Sequence, residues 1–421
     1  MVKHRAPRTH LMAVGAGLLL FVLLAVVAVR ATAGPTQAGG VPLRDLAAEH
    51  GIRIGAAANP YLLERNRHYR AVLGEQYGSL TAENVMKWDT LQPERGVYDF
   101  SLADTLVDFA EKHGQDMRGH TLLWHNQNPE WLSEGHFGPD ELRSIMHDHI
   151  ETVVGDHFKG RVYAWDVINE PFRDSGGELR RNLWLRTLGK DYIAEALRTA
   201  HAADPDARLY INDFSIEGRN AKSDALYELA KSLLEQGVPL HGIGFQSHLS
   251  VGAVPDDMVE NMRRFTDLGL EVTVTELDIS IDMPASEEEL RAQAEDYRTV
   301  VRNCLQVSKC TGVTVWGVGD ADSWIPSWFP GQGAALPFDQ DYAPKPAFGA
   351  VQEALSKAGF GATPTGPATP TASATPAGPA ASANPATPAA SATPAASATP
   401  TGPAPTASTT PTGPGTRSPG Y

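Results

Sequence analysis

Between about residues 43 and 358 the chain alternates eight times between a short β-branched or apolar run and a longer stretch with helical spacing. The runs span 52–57, 78–81, 116–123, 162–168, 208–211, 242–245, 271–275 and 312–315, and each reads as a strand. The stretches between them place apolar residues on one helical face, as in Leu102, Leu106, Phe109 and Ala110, or Leu226, Leu229, Ala230 and Leu233. Strand and helix in regular alternation imply a parallel sheet covered by helices. Eight repeats in this length predict a closed (β/α)8 barrel, the TIM-barrel architecture, over an open doubly wound sheet, and no glycine-rich phosphate turn follows the first strand.

The ends of the chain differ from this body. Lys3, Arg5 and Arg8 precede an uninterrupted apolar run from Leu11 to Val29, and Arg30 then leads into Ala31-Thr32-Ala33. Residues 1–33 therefore read as an export signal cleaved after Ala33. The alternative is a retained membrane anchor through residues 11–29, since the run is just long enough to span a bilayer as a helix. Residues 34–42 form a short linker, 43–360 the barrel, and 361–421 a tail with 17 Ala, 14 Thr, 14 Pro, 7 Gly and 6 Ser but a single charge, Arg417. Such a tail cannot bury enough apolar surface to offset its conformational entropy, so a disordered segment is expected, with O-glycosylation possible.

Charge and cysteine usage exclude whole classes of function. Residues 34–360 hold 30 Lys plus Arg against 50 Asp plus Glu, a formal charge of −20, which disfavours nucleic acid as a partner. Two cysteines rule out a disulfide-stapled scaffold and a Cys-rich metal centre. Cys304 and Cys310, outside the membrane after export, are expected to pair across the junction of the seventh helix and eighth strand; two free buried thiols are the alternative. No His-Glu-x-x-His occurs, and neither a catalytic metal nor a cofactor is expected. A monomer is the expected state.

Polar residues collect where the strands end. Glu83, Asn84 and Lys87 follow the second; His120 lies within the third, with Trp124 and His125 after it; Asn169 and Glu170 close the fourth. The fifth ends in Asn212 and Asp213, the sixth in Gln246 and His248, the seventh in Glu276 and Asp278, and the eighth in Trp316. Residues at the carboxyl ends of barrel strands share one mouth, where barrel enzymes keep their active sites. Glu170 and Glu276, after strands four and seven, would face each other across it. Two carboxylates flanking a glycosidic bond can divide its cleavage, one acting as acid and base, the other as nucleophile.

These motifs together resemble glycoside hydrolase family 10, the endo-β-1,4-xylanases. The resemblance covers nearly all of residues 43–350 and rests on residues 81–88 (TAENVMKW), 119–125 (GHTLLWH), Asn169-Glu170, residues 275–278 (TELD), Val315-Trp316-Gly317 and Asp322-Ser323-Trp324. It implies an enzyme acting on xylan with retention of configuration, Glu276 as nucleophile and Glu170 as acid and base; with the export reading of residues 1–33, a secreted xylanase is expected. Asn169, His248 and Asp278 would support the pair. Glu83, Asn84, Lys87, His120, Gln127 and Gln246 look like family residues that hydrogen-bond sugars. Trp124, Trp316 and Trp324 would offer flat faces to pyranose rings, or else sit in the core, to which Trp88, Trp165 and Trp184 are assigned. Pro171 and Phe172 stand where the family commonly has a small residue after the acid, and Ala321 where Lys is often seen. The competing expectations are a related retaining glucanase and a non-catalytic wall glycan-binding protein.

Overall fold

The computed structural model describes residues 40–356. The apolar run 11–29 and the tail 361–421 lie outside the described residues; among those described, no helix is long and apolar enough to cross a membrane.

Eight parallel strands close on themselves: β1 (Arg53–Ala58), β2 (Ser79–Ala82), β3 (Asp116–Leu123), β4 (Ala164–Asn169), β5 (Arg208–Asp213), β6 (Gly242–Phe245), β7 (Glu271–Asp282) and β8 (Cys310–Val315). Each pairs with the next in sequence, and β8 returns to β1 through Ile54 opposite Val313 while Val274 of β7 pairs with the same Val313. Both faces of the strands are covered, so their residues are buried almost without interruption, as in β4 and β6. The expected strands all form, with ends displaced by a residue or two.

β7 is the exception. It runs seven residues past Thr275, where its sequence run ends, because two short segments extend the sheet above the barrel. His248–Ser250 pairs in parallel with Asp278–Ser280, and Gln332–Gly333 pairs antiparallel with Ile281–Asp282. Segments of three and two residues are too short for an alternation to register in a sequence.

The main helices are α1 (Arg67–Gln76), α2 (Ser101–His113), α3 (Pro139–Ile150), α4 (Tyr192–Ala203), α5 (Ala221–Glu235), α6 (Met258–Asp267), α7 (Glu287–Leu305) and α8 (Pro346–Ser356). Reciprocal capping boxes start α5 at Asn220 with Ser223 and α7 at Ser286 with Glu289, satisfying amides that the first turn leaves unpaired. Cys304 in α7 and Cys310 at the start of β8 form a disulfide with Cα atoms 5.3 Å apart, which settles the alternative of free thiols.

Glycines in the strands make room for large neighbours. A Cβ on Gly119 of β3 would lie 2.2 Å from the indole of Trp165, its partner in β4, and one on Gly242 of β6 would lie 2.2 Å from the ring of Tyr210. Trp88, Trp165 and Trp184 are all buried, as the sequence suggests. The lower barrel interior is not purely apolar. Arg118 pairs there with Asp166, both almost wholly buried, and lies 4.4 Å from the ring centre of Tyr210. Asp166 also lies 3.0 Å from His120 Nδ1, so a polar column leads from the barrel floor toward the mouth.

Candidate active site

The mouth is assembled by register. Asn169 ends β4 directly opposite Asn212 of β5, and the Asn212 side chain turns inward to bridge neighbouring strands. Its Nδ2 donates to Asn169 Oδ1 at 2.9 Å and to Glu276 Oε1 at 2.7 Å, while its Oδ1 accepts from Thr275 Oγ1 at 2.6 Å. The sequence places Asn212 at a strand end; its bridging role comes only from the closed sheet.

Glu276 lies within β7 and its carboxylate is nearly buried. Besides Asn212, it meets His248, whose Nε2 is 3.1 Å from Oε2. His248 Nδ1 is 3.0 Å from Asp278 Oδ2, the expected dyad, and Trp324 Nε1 donates to that same oxygen at 2.7 Å. Burial alone would push His248 toward the neutral ring, but Asp278 and Glu276 outweigh it and hold its pKa well above the usual value. Burial would likewise raise Glu276, yet the His248 hydrogen bond and the nearby His120 keep it below the ordinary carboxylate range. His248 is therefore an imidazolium donating both N–H groups to carboxylates.

Glu170 has a different setting. Its backbone is left-handed, with φ +51°, strained for a residue with a long side chain, and it is fixed by Glu170 N–H donating to Asn212 O at 2.8 Å. The carboxylate Oε1 accepts from Gln246 Nε2 at 3.2 Å and Asn169 Nδ2 at 3.5 Å, and Oε2 lies 3.6 Å from His125 Nδ1. Burial lowers the His125 pKa against the pull of the Glu170 charge and favours the neutral ring. His125, absent from the predicted site set although it stands in the same motif as His120 and Trp124, thus belongs to the surroundings of Glu170.

One side of the mouth carries a polar cluster from β2 and β3. Lys87 Nζ donates to Asn84 Oδ1 at 2.9 Å and Gln127 Oε1 at 2.7 Å, and lies 5.0 Å from the ring centre of Trp124. Glu83 Oε2 accepts from Asn59 Nδ2 at 3.4 Å. Burial lowers the Lys87 pKa and raises that of Glu83. The other wall is aromatic. Trp316 meets His120 edge to face at 5.2 Å, and Trp324 meets His248 at 4.9 Å. Trp124 and Trp324 are half-buried and Trp316 is buried with its ring against both histidines, so these three border the site while Trp88, Trp165 and Trp184 do not. Phe172 does not intrude: it is buried in the core and bridges Leu179, and Ala321 is exposed.

Residues 42–354 match the profile of Glycosyl hydrolase family 10. The chain is 44% identical over 344 residues to an endo-1,4-beta-xylanase of Agaricus bisporus, covering 81% of this chain and 99% of that one. It is 43% identical to endo-1,4-beta-xylanase B of Thermotoga neapolitana over 75% of this chain and 92% of the relative. Its backbone is similar to that of xylanase 10B from Thermotoga petrophila in complex with xylobiose, with a TM-score of 0.74 and 44% identity over 77% of this chain and 99% of that one. An eight-stranded barrel with two carboxylates at its mouth, a profile match across the whole body and these relatives lead to one assignment: the chain belongs to glycosyl hydrolase family 10.

Proposed function

We propose that this protein is an exported endo-1,4-β-xylanase that hydrolyses internal xylosidic bonds with retention, using Glu276 as nucleophile and Glu170 as acid and base. In the first step a Glu276 oxygen attacks the anomeric carbon as the glycosidic C–O bond breaks, and the Glu170 proton passes to the leaving oxygen. In the second, Glu170 takes a proton from water, whose oxygen attacks the same carbon and releases Glu276.

The observation that carries this reading is the asymmetry of the two carboxylates. Glu276 is held ionised by an imidazolium, whereas the direct partners of Glu170 are two amides and a ring that burial favours as neutral. Unequal surroundings of this kind are what separate a nucleophile from a proton carrier. Asn169 Oδ1 is occupied by donors from Asn212 and Gln246, which turns its Nδ2 toward Glu170, where it would donate to a sugar 2-hydroxyl. His248 and Asp278 position the nucleophile. Glu83, Asn84, Lys87, His120, Gln127 and Gln246 would bind hydroxyl groups, and Trp124, Trp316 and Trp324 would pack on ring faces. Residues 43–360 would carry this chemistry, 1–33 export and 361–421 a stalk.

Two successive inversions return the starting configuration, so proton NMR of a fresh xylan digest should show the β-anomer first. An initial α-anomer would refute the assignment of Glu276 as nucleophile.

A further inference from the structure

Trp328 is 68% exposed, the most exposed large hydrophobic side chain among the described residues, and Phe329 and Met283 beside it are 47% and 50% exposed. Only three other large hydrophobics are exposed among those residues, Val41, Tyr61 and Val97, and they are scattered along the chain. Isolated exposed apolar residues need no explanation, but several on one rim mark a binding surface.

This rim is continuous with the mouth. Trp324, which donates to Asp278 and packs on His248, has its ring centre 6.2 Å from that of Trp328 and 5.7 Å from that of Phe329. Met283 joins from the end of β7, because its N–H donates to Gly331 O at 2.7 Å and the antiparallel pair Gln332–Asp282 ties the two segments together. A Cβ on Gly333 would lie 3.3 Å from Met283 and 3.7 Å from Pro326, so these two flank one glycine. The backbone beneath the exposed rings is thus pinned, and ordering it costs a ligand little.

We propose that Trp328, with Phe329 and Met283, forms an additional sugar subsite that holds a further xylosyl unit of the same chain beyond Trp324. The proposal rests on the reading of the mouth as a xylan-cleaving site. The segment 326–331 is Pro-Ser-Trp-Phe-Pro-Gly and carries no charge, which suits a neutral pyranose with apolar faces better than an ionic ligand. Trp324 and Trp328 are inclined at 61°, which suits successive rings of a flexible chain better than one flat molecule. Phe172, by contrast, is buried and presents no exposed ring face.

The test uses the full chain and its Trp328→Ala, Trp328→Tyr and Phe329→Ala variants, with kcat/KM measured on an aryl xylobioside, on xylotriose and longer oligosaccharides, and on soluble xylan. Trp328→Ala should lower the ratio of long-chain to xylobioside kcat/KM about three- to tenfold, the range expected for one aromatic contact. Phe329→Ala should lower it less, and Trp328→Tyr should keep most of it. The melting temperature should not move, since the ring is exposed. An unchanged ratio, or an equal fall on the xylobioside, overturns the subsite. So does a wild-type dimer in sedimentation that Trp328→Ala abolishes without changing the ratio, which would make the rim a contact between copies. If the wild type cleaved another glycan and not xylan, the reading of the mouth would fall first, and the same ratio on that glycan would still judge the rim.

Discussion

The imidazole Nε2 of His248 lies 3.1 Å from Oε2 of Glu276, and this contact keeps a buried carboxylate charged. The two groups act on stability in opposite pH ranges. Glu276 is depressed in the fold, so its contribution is present above the unfolded carboxylate value, about pH 4.3, and is lost as pH falls through its lower folded value. His248 is raised, so its contribution is complete below about pH 6.5 and is lost as pH rises through its higher folded value.

Replacing His248 by Asn should therefore move the acid limb of the kcat/KM profile to higher pH. Burial then raises the Glu276 pKa with the His248 hydrogen bond and charge no longer opposing it, leaving only the weaker pull of His120. A pH profile on an aryl xylobioside checks this, and an acid limb that stays in place would mean that His248 does not control Glu276.

Glu170→Ala should cut turnover of xylan about a hundredfold or more, because a sugar leaving group needs a proton. Formation of the covalent intermediate from an aryl glycoside with a good leaving group should survive, and burst kinetics would reveal it. Equal losses on both substrates would assign Glu170 a structural role.

Asp166→Ala leaves the Arg118 guanidinium buried without its carboxylate and should cost about 3–5 kcal/mol in denaturant unfolding. The double variant Arg118→Met with Asp166→Leu should recover much of that loss, since no charge is then stranded. If the double variant were as unstable as the single, packing and not charge would be the cause.

Cys304→Ser with Cys310→Ser should lower stability by about 2 kcal/mol through loop-closure entropy in the unfolded chain. Activity below the melting temperature should be retained, because the bridge joins the start of β8, at the end of the barrel opposite the mouth. Lost activity with unchanged stability would require a connection from β8 to the site.

Much of the candidate site's composition was legible in the sequence. Glu170 and Glu276 end recognisable apolar runs, and such runs report burial over a few consecutive residues, which is a local property. The same locality let Cys304 and Cys310, six residues apart, be paired correctly.

What the sequence by itself determined was the alternation of eight strands and helices, the common mouth and the carboxylates within it. Only the tertiary structure decided how those residues hold one another. Asn212 meets Glu276 across 64 positions of sequence, and Trp324 meets Asp278 across 46. The extension of β7 and the left-handed turn at Glu170 likewise depend on partners brought by barrel closure. The physical reason is range: strand and helix periodicity is set by each segment's own burial, whereas a hydrogen bond between distant residues exists only once sheet register has fixed both ends to within a fraction of an ångström.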